Sequence, residues 1–171
     1  MRLALFQRNS EQGFAGRGEP TVTPAGGLLC VVNGLAGDFY SVRPGGDGDV
    51  TATHMAWHTP RKSGRDCPSP IVVGNYVIVC SMTGIATCYD VTDGHIYWTE
   101  RLPGAFSASP IDTNGFVYFI NEVGTTSVIE PGPALKIVAE NALAIDGDEI
   151  FRASIAPSEG KLYIRSTSVL Y

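Results

Sequence analysis

The sequence predicts an all-β protein, and three features of its 171 residues predict it. Short apolar runs opening on Gly or Asn recur four times. Turn-forming residues are plentiful, with 20 Gly and 11 Pro, as many short strands joined by tight turns require. No segment carries the 3.6-residue apolar period of an amphipathic helix. The recurring runs read Gly27-Leu-Leu-Cys-Val-Val32, Asn75-Tyr-Val-Ile-Val-Cys80, Gly115-Phe-Val-Tyr-Phe-Ile120 and Gly160-Lys-Leu-Tyr-Ile164, with first residues 48, 40 and 45 positions apart. A strand-built period of roughly 40–50 residues marks a β-propeller, one blade per repeat. The expected fold is therefore a partial β-propeller of about three to four four-stranded antiparallel blades.

Each element follows from local signals. In the second repeat Ser69 to Val73 reads as a first strand, Asn75 as a turn and Tyr76 to Ser81 as a second strand. Thr83-Gly84 closes a hairpin, Ile85 to Tyr89 returns, and His95 to Glu100 follows the Thr92-Asp93-Gly94 turn. Tyr76, Ile78 and Cys80 alternate with Val77 and Val79, so both faces of that strand are apolar and both need cover. The third repeat follows the same plan through Ser109–Ile111, Phe116–Ile120, Thr125–Ile129 and Leu135–Ala139. The first has a longer turn, Arg43 to Asp49, before a strand ending at Trp57. The fourth starts at Ala153–Ile155, continues through Leu162 to Arg165 and reaches a third strand at Tyr171. The expected units are 1–20 (the end of a preceding blade, or irregular), 21–64, 65–104 and 105–150 as blades, and 151–171 as an incomplete blade. On this count the chain is expected to be a C-terminal part of a larger propeller.

Composition narrows the function classes. Apolar residues make up 44% and charged residues 17%, which describes a packed chain rather than a disordered one. The net charge of −5 argues against a general nucleic-acid binder. No apolar run reaches the roughly 18–20 residues of a membrane span. The apolar start, Met1 to Phe6, ends at Gln7, short of the apolar centre of about 7–15 residues that a secretory signal needs. Cys30, Cys67, Cys80 and Cys88 include no CxxC and no adjacent pair. Cys80 and Cys88 lie on neighbouring strands, where a cross-strand disulfide is possible, but small buried apolar residues are the favoured reading.

One segment has a specific form: Cys88-Tyr-Asp-Val-Thr-Asp-Gly-His-Ile-Tyr-Trp98. Asp90 can accept N–H bonds across the turn, Gly94 permits positive φ, and Trp98 supplies a large flat ring. It resembles the tryptophan-docking motif of the quinoprotein-type (PQQ-like) propellers, Ala-x-Asp-x-x-Thr-Gly-x-x-x-Trp. Cys88 stands for the Ala and Asp93 for the Thr, while Asp90, Gly94 and Trp98 match. In that family the ring packs on the adjacent blade, which would make Trp98 a blade-to-blade clamp. Trp57 is retained in the first repeat, and Val138 takes the Trp position of the third. With Arg43-Pro-Gly-Gly, His54, Ser109-Pro110 and Glu130-Pro-Gly, the chain from about residue 20 onward is similar to the bacterial PQQ-binding-like repeat proteins. It is also similar to the periplasmic propeller lipoproteins of outer-membrane barrel assembly, which bind partners without a quinone.

The resemblance implies two function classes. A quinoprotein alcohol or sugar dehydrogenase would hold PQQ and a calcium ion in a central funnel. This chain has no adjacent cysteines, and Asp112, Asn121 and Glu122 show no spacing that singles out a cation cage. The other class is a non-catalytic scaffold without cofactor, metal or catalytic residue, placed by the resemblance in the periplasm or cell envelope. Its partners would be other proteins, or the remaining blades of a larger propeller. Arg61, Lys62 and Arg65, a basic cluster between two blades of an acidic chain, form the candidate interaction loop. His54 and His58, four apart and on one face if extended, with Cys67 beyond, suggest a zinc site only weakly. Gly45-Gly-Asp-Gly48 lacks the Lys-Ser/Thr of a phosphate loop and reads as a turn, and no GxSxG nucleophile elbow occurs.

Overall fold

The computed structural model describes residues 4–5, 20–32, 38–60, 67–145 and 147–171. The first sheet joins β2 (Thr23–Ala25), β3 (Leu28–Val32), β4 (Phe39–Val42) and β6 (Met55–Thr59). Beside it, β1 (Ala4–Leu5) pairs in parallel with β5 (Gly48–Asp49), and a single helical turn, α1 (Thr51–His54), leads into β6. The second sheet is β7 (Ile71–Val73), β8 (Tyr76–Cys80), β9 (Ile85–Asp90) and β10 (Ile96–Arg101). The third is β11 (Ile111–Thr113), β12 (Phe116–Ile120), β13 (Thr125–Glu130) and β14 (Lys136–Ala142). A hairpin of β15 (Ala156–Ser158) and β16 (Lys161–Tyr163) follows, and Leu170 bridges back to Arg165. Three four-stranded antiparallel sheets and a partial fourth bear out the expected partial propeller.

Local chemistry explains the turns. Asn114 and Gly115 sit at φ 53° and 80° between Thr113 and Phe116, the two-residue hairpin geometry that Asn-Gly favours. Several boundaries move. The first strands of the second and fourth units begin at Ile71 and Ala156 rather than at Ser69 and Ala153, and β6 runs past Trp57 to Thr59.

The core lies between the sheets. Val77 and Val79 face the first sheet and pack with Cys30, Val32, Phe39 and Trp57. Ile78 and Cys80 face the third and pack with Leu102, Phe106, Val117 and Phe119. The doubly apolar strand is thus covered on both sides, as its alternation predicts. A smaller cluster of Ala108, Ile120, Phe151 and Ile155 joins the third sheet to the final hairpin.

One irregularity recurs. The outer strand of each four-stranded sheet carries a bulge, between Met55 and Trp57, Ile96 and Trp98, and Ile137 and Ala139. A bulge adds one unpaired residue and re-aims the side chains beyond it. In two sheets the residue just past it is tryptophan.

Candidate interaction surface

The two tryptophans tie neighbouring blades together by the same bond. Trp57 donates its indole N–H to the Val91 carbonyl at 3.0 Å, and Trp98 donates its own to the Gly132 carbonyl at 3.1 Å. In each pair the acceptor lies 34 residues further along the chain. The Trp57 ring rests on Gly94, where an added Cβ would stand 2.5 Å from Cε3. Phe39 meets that indole edge-on at 5.1 Å. Gly94 therefore serves both its turn, at φ 75°, and the neighbouring blade.

Asp90 is held by four donors. Its Oδ1 accepts the backbone N–H of Thr92 at 2.8 Å and the Thr92 hydroxyl at 2.5 Å. Its Oδ2 accepts from Tyr97 at 2.8 Å and from the Asn75 amide at 2.5 Å. These bonds, those from Thr92 foremost, hold the carboxyl below its usual value. A carboxylate so fully engaged fixes its turn.

The third sheet corrects the sequence alignment. Val138 is the bulge residue, and Ala139 stands opposite Val128. That register slot is filled by Trp98 opposite Cys88 and by Trp57 opposite Ser41. The cause is one extra turn residue. Glu130 pairs with Lys136, whereas the Asp90 N–H bonds the His95 carbonyl at 2.8 Å. The third blade thus presents a methyl group where the others present an indole, and all of β14 is exposed.

The remaining candidates fall into structural roles. His54 sits in α1, its Nδ1 2.8 Å from the Thr53 hydroxyl, while His58 lies on β6 and stacks on Tyr40 at 6.0 Å. The helix–strand boundary between them removes the extended segment that would align the two rings. Cys67 points its thiol toward the Met82 sulfur at 3.5 Å. Cys80 pairs with Ala86, not with Cys88, and the two buried cysteines form no disulfide. Burial pushes Cys88 up to about 12, which suits an inert core thiol. Asn121 accepts the N–H groups of Val123 and Thr125 and donates to the Pro103 carbonyl. Glu122 accepts from the Ser107 hydroxyl at 2.5 Å and meets Arg152 at 3.5 Å. Arg61, Lys62 and Arg65 lie outside the described residues.

Sequence reasoning missed a second set of blade-to-blade bonds. The N–H of Thr21 donates to Ser69 Oγ at 2.9 Å, that of Ser69 to Ser109 Oγ at 3.0 Å, and that of Ser109 to Ser154 Oγ at 3.1 Å. The steps are 48, 40 and 45 residues, the spacing of the hairpins themselves. Hydroxyl residues at this spacing were a readable signal, although Ser69 and Ser109 otherwise look like ordinary strand starts. A cleft of about 420 Å³ opens between the Thr113–Asn114 turn and the Pro157–Leu162 hairpin, with Tyr118 in its wall.

Repeated four-stranded sheets, joined laterally by recurring bonds, define a β-propeller. Comparison with solved structures agrees. The chain is similar to BamB from Moraxella catarrhalis at 15% identity and TM-score 0.64, over 84% of this chain and 41% of that one. It is similar to the computationally designed Ika4 protein at 10% identity and TM-score 0.68, over 100% and 96% of the two chains. It is also similar to BBS1N, solved in complex with ARL6DN, at 14% identity and TM-score 0.61, over 84% and 44%. The chain therefore spans under half the length of the BamB and BBS1N chains. No protein-family model and no curated relative matches the sequence.

Proposed function

We propose that this protein is a non-catalytic β-propeller scaffold of the cell envelope that binds other proteins and uses neither PQQ nor calcium. The observation that carries this reading is the engagement of its polar side chains. Asp90, Asn121 and Glu122, the residue types a quinone or cation site would draw on, are bonded within their own turns and seams. The shared propeller fold supports it, since BBS1N was solved in complex with a protein, ARL6DN. The envelope location rests on the resemblance to periplasmic propeller lipoproteins. No helix among the described residues is long and apolar enough to cross a membrane.

The basic segment between β6 and β7 is the proposed contact, matched to an acidic surface on the partner. Changing Arg61, Lys62 and Arg65 together to Glu should abolish capture of partners that the unaltered chain retains from an envelope extract. Equal capture would remove this segment from the interface. Titration with PQQ and Ca²⁺ should leave the quinone absorbance unchanged, and saturable binding would overturn the cofactor-free reading.

A further inference from the structure

The lateral bonds define two unlike ends. Each blade offers the next an N–H donor and receives an Oγ acceptor in return, from Thr21 to Ser69, Ser69 to Ser109 and Ser109 to Ser154. At the leading end the Thr21 hydroxyl receives no such N–H among the described residues. At the trailing end the Ser154 N–H finds no acceptor among them. One end thus lacks a donor, and the other lacks the matching acceptor.

The apolar surfaces follow the same division. Leu29 and Val31 occupy the positions of Val77 and Val79 in the second blade and of Val117 and Phe119 in the third. Those four are at most 1% exposed, because a preceding blade covers them, whereas Leu29 and Val31 are only half-buried. On the trailing side Tyr163 takes the position of Ile78, yet it is 38% exposed against 1%. Leu170, 66% exposed where it bridges to Arg165, adds to the uncovered trailing surface. Inside the molecule the same slots meet: Val77 and Val79 pack against the preceding sheet's Cys30 and Val32.

From this complementarity we infer that the trailing end of one molecule docks on the leading end of a second copy of this chain, with the Ser154 N–H donating to Thr21 Oγ. The contact is heterologous, and two such contacts related by a two-fold axis close a ring instead of a filament. Each copy contributes its three complete sheets and its hairpin. The blades of a two-chain ring then meet through one repeated bond. The inference concerns the blade ends and stands apart from the partner-binding segment proposed above.

The test is performed on the whole chain. Sedimentation equilibrium should give twice the 18.2 kDa chain mass. Thr21→Val keeps the shape and removes the acceptor, so it should raise the dimer Kd by about threefold to tenfold, the worth of one hydrogen bond. Thr21 and Ser154 belong to opposite ends of a molecule, so a disulfide between them forms only across copies. An equimolar mixture of Thr21→Cys and Ser154→Cys should yield an oxidised dimer that neither variant forms alone. A chain that stays monomeric at about 100 µM, well above the Kd of a stable interface, overturns the inference. So does a dimer indifferent to Thr21→Val, or one in which either cysteine variant cross-links with itself as readily as in the mixture.

Discussion

The seam between the second and third blades and the seam beyond the third are built from the same repeat, yet they differ in depth. Among the described residues the inner seam buries ten apolar side chains, including Phe106, Phe119 and Trp98, and the outer seam buries four. The inner one is also bridged by an indole N–H bond, while Ala139 occupies the corresponding slot of the outer one. The difference shows where cohesion resides in a stacked-blade fold. Hairpins set up each sheet, but side chains projected from one outer strand onto the next blade bind sheets to one another.

The sharpest way to break this contrast is a pair of truncations. Phe119→Ala removes a ring that is 1% exposed in the inner seam and should cost about 3–5 kcal/mol in urea unfolding. Val138→Ala on the exposed outer strand should cost less than about 0.5 kcal/mol. Comparable losses would mean that the outer strand is covered in solution.

Two glycines separate packing from backbone strain. Gly94 and Gly160 have nearly equal φ of 75° and 74°, but a Cβ at Gly94 meets the Trp57 ring and one at Gly160 meets nothing within 4 Å. Both Ala variants carry the left-handed backbone cost of about 1–2 kcal/mol. Gly94→Ala adds an overpacking cost of about 1–3 kcal/mol. Equal destabilisation of the two would show that the indole does not rest on Gly94.

The smallest expected effect concerns pH at the outer end. Hydroxyls of Ser166, Ser168 and Thr167 hold Glu149 at about 2, down from 4.5. A depressed carboxyl stabilises the folded form above its unfolded value, and that contribution fades as pH falls through the folded one. Amide protection factors in the turn from Ser166 to Val169, taken relative to intrinsic exchange at each pH, should therefore fall between about pH 4.5 and 2, and Glu149→Gln should flatten that dependence. An unaltered profile in Glu149→Gln would assign the acid sensitivity elsewhere.

Much of this was legible in the chain, and the exceptions share a cause. The strands of the second blade follow from alternation of Tyr76 to Cys80, and its turn from Asp90 and Gly94, because both signals act within a few residues. Trp98 was readable as a seam residue from its motif. Ala139 was not, because an extra residue in the Pro131–Leu135 turn shifts the pairing by one and leaves local composition unchanged. Asn121 and Glu122 showed no cation-cage spacing in the sequence, but their bonds to Pro103, Ser107 and Arg152 arise only from the fold.

The sequence by itself determined that the protein is all-β, that its hairpins recur, and where its tight turns fall. Each of those depends on side-chain period and backbone preference over a handful of neighbours. Only the tertiary structure decided which residue lies past each outer-strand bulge and which serine accepts from which N–H. The bulge register depends on turn length within a blade, whereas the indole and serine bonds join groups 34 to 48 residues apart across a seam, an encounter that no local preference encodes.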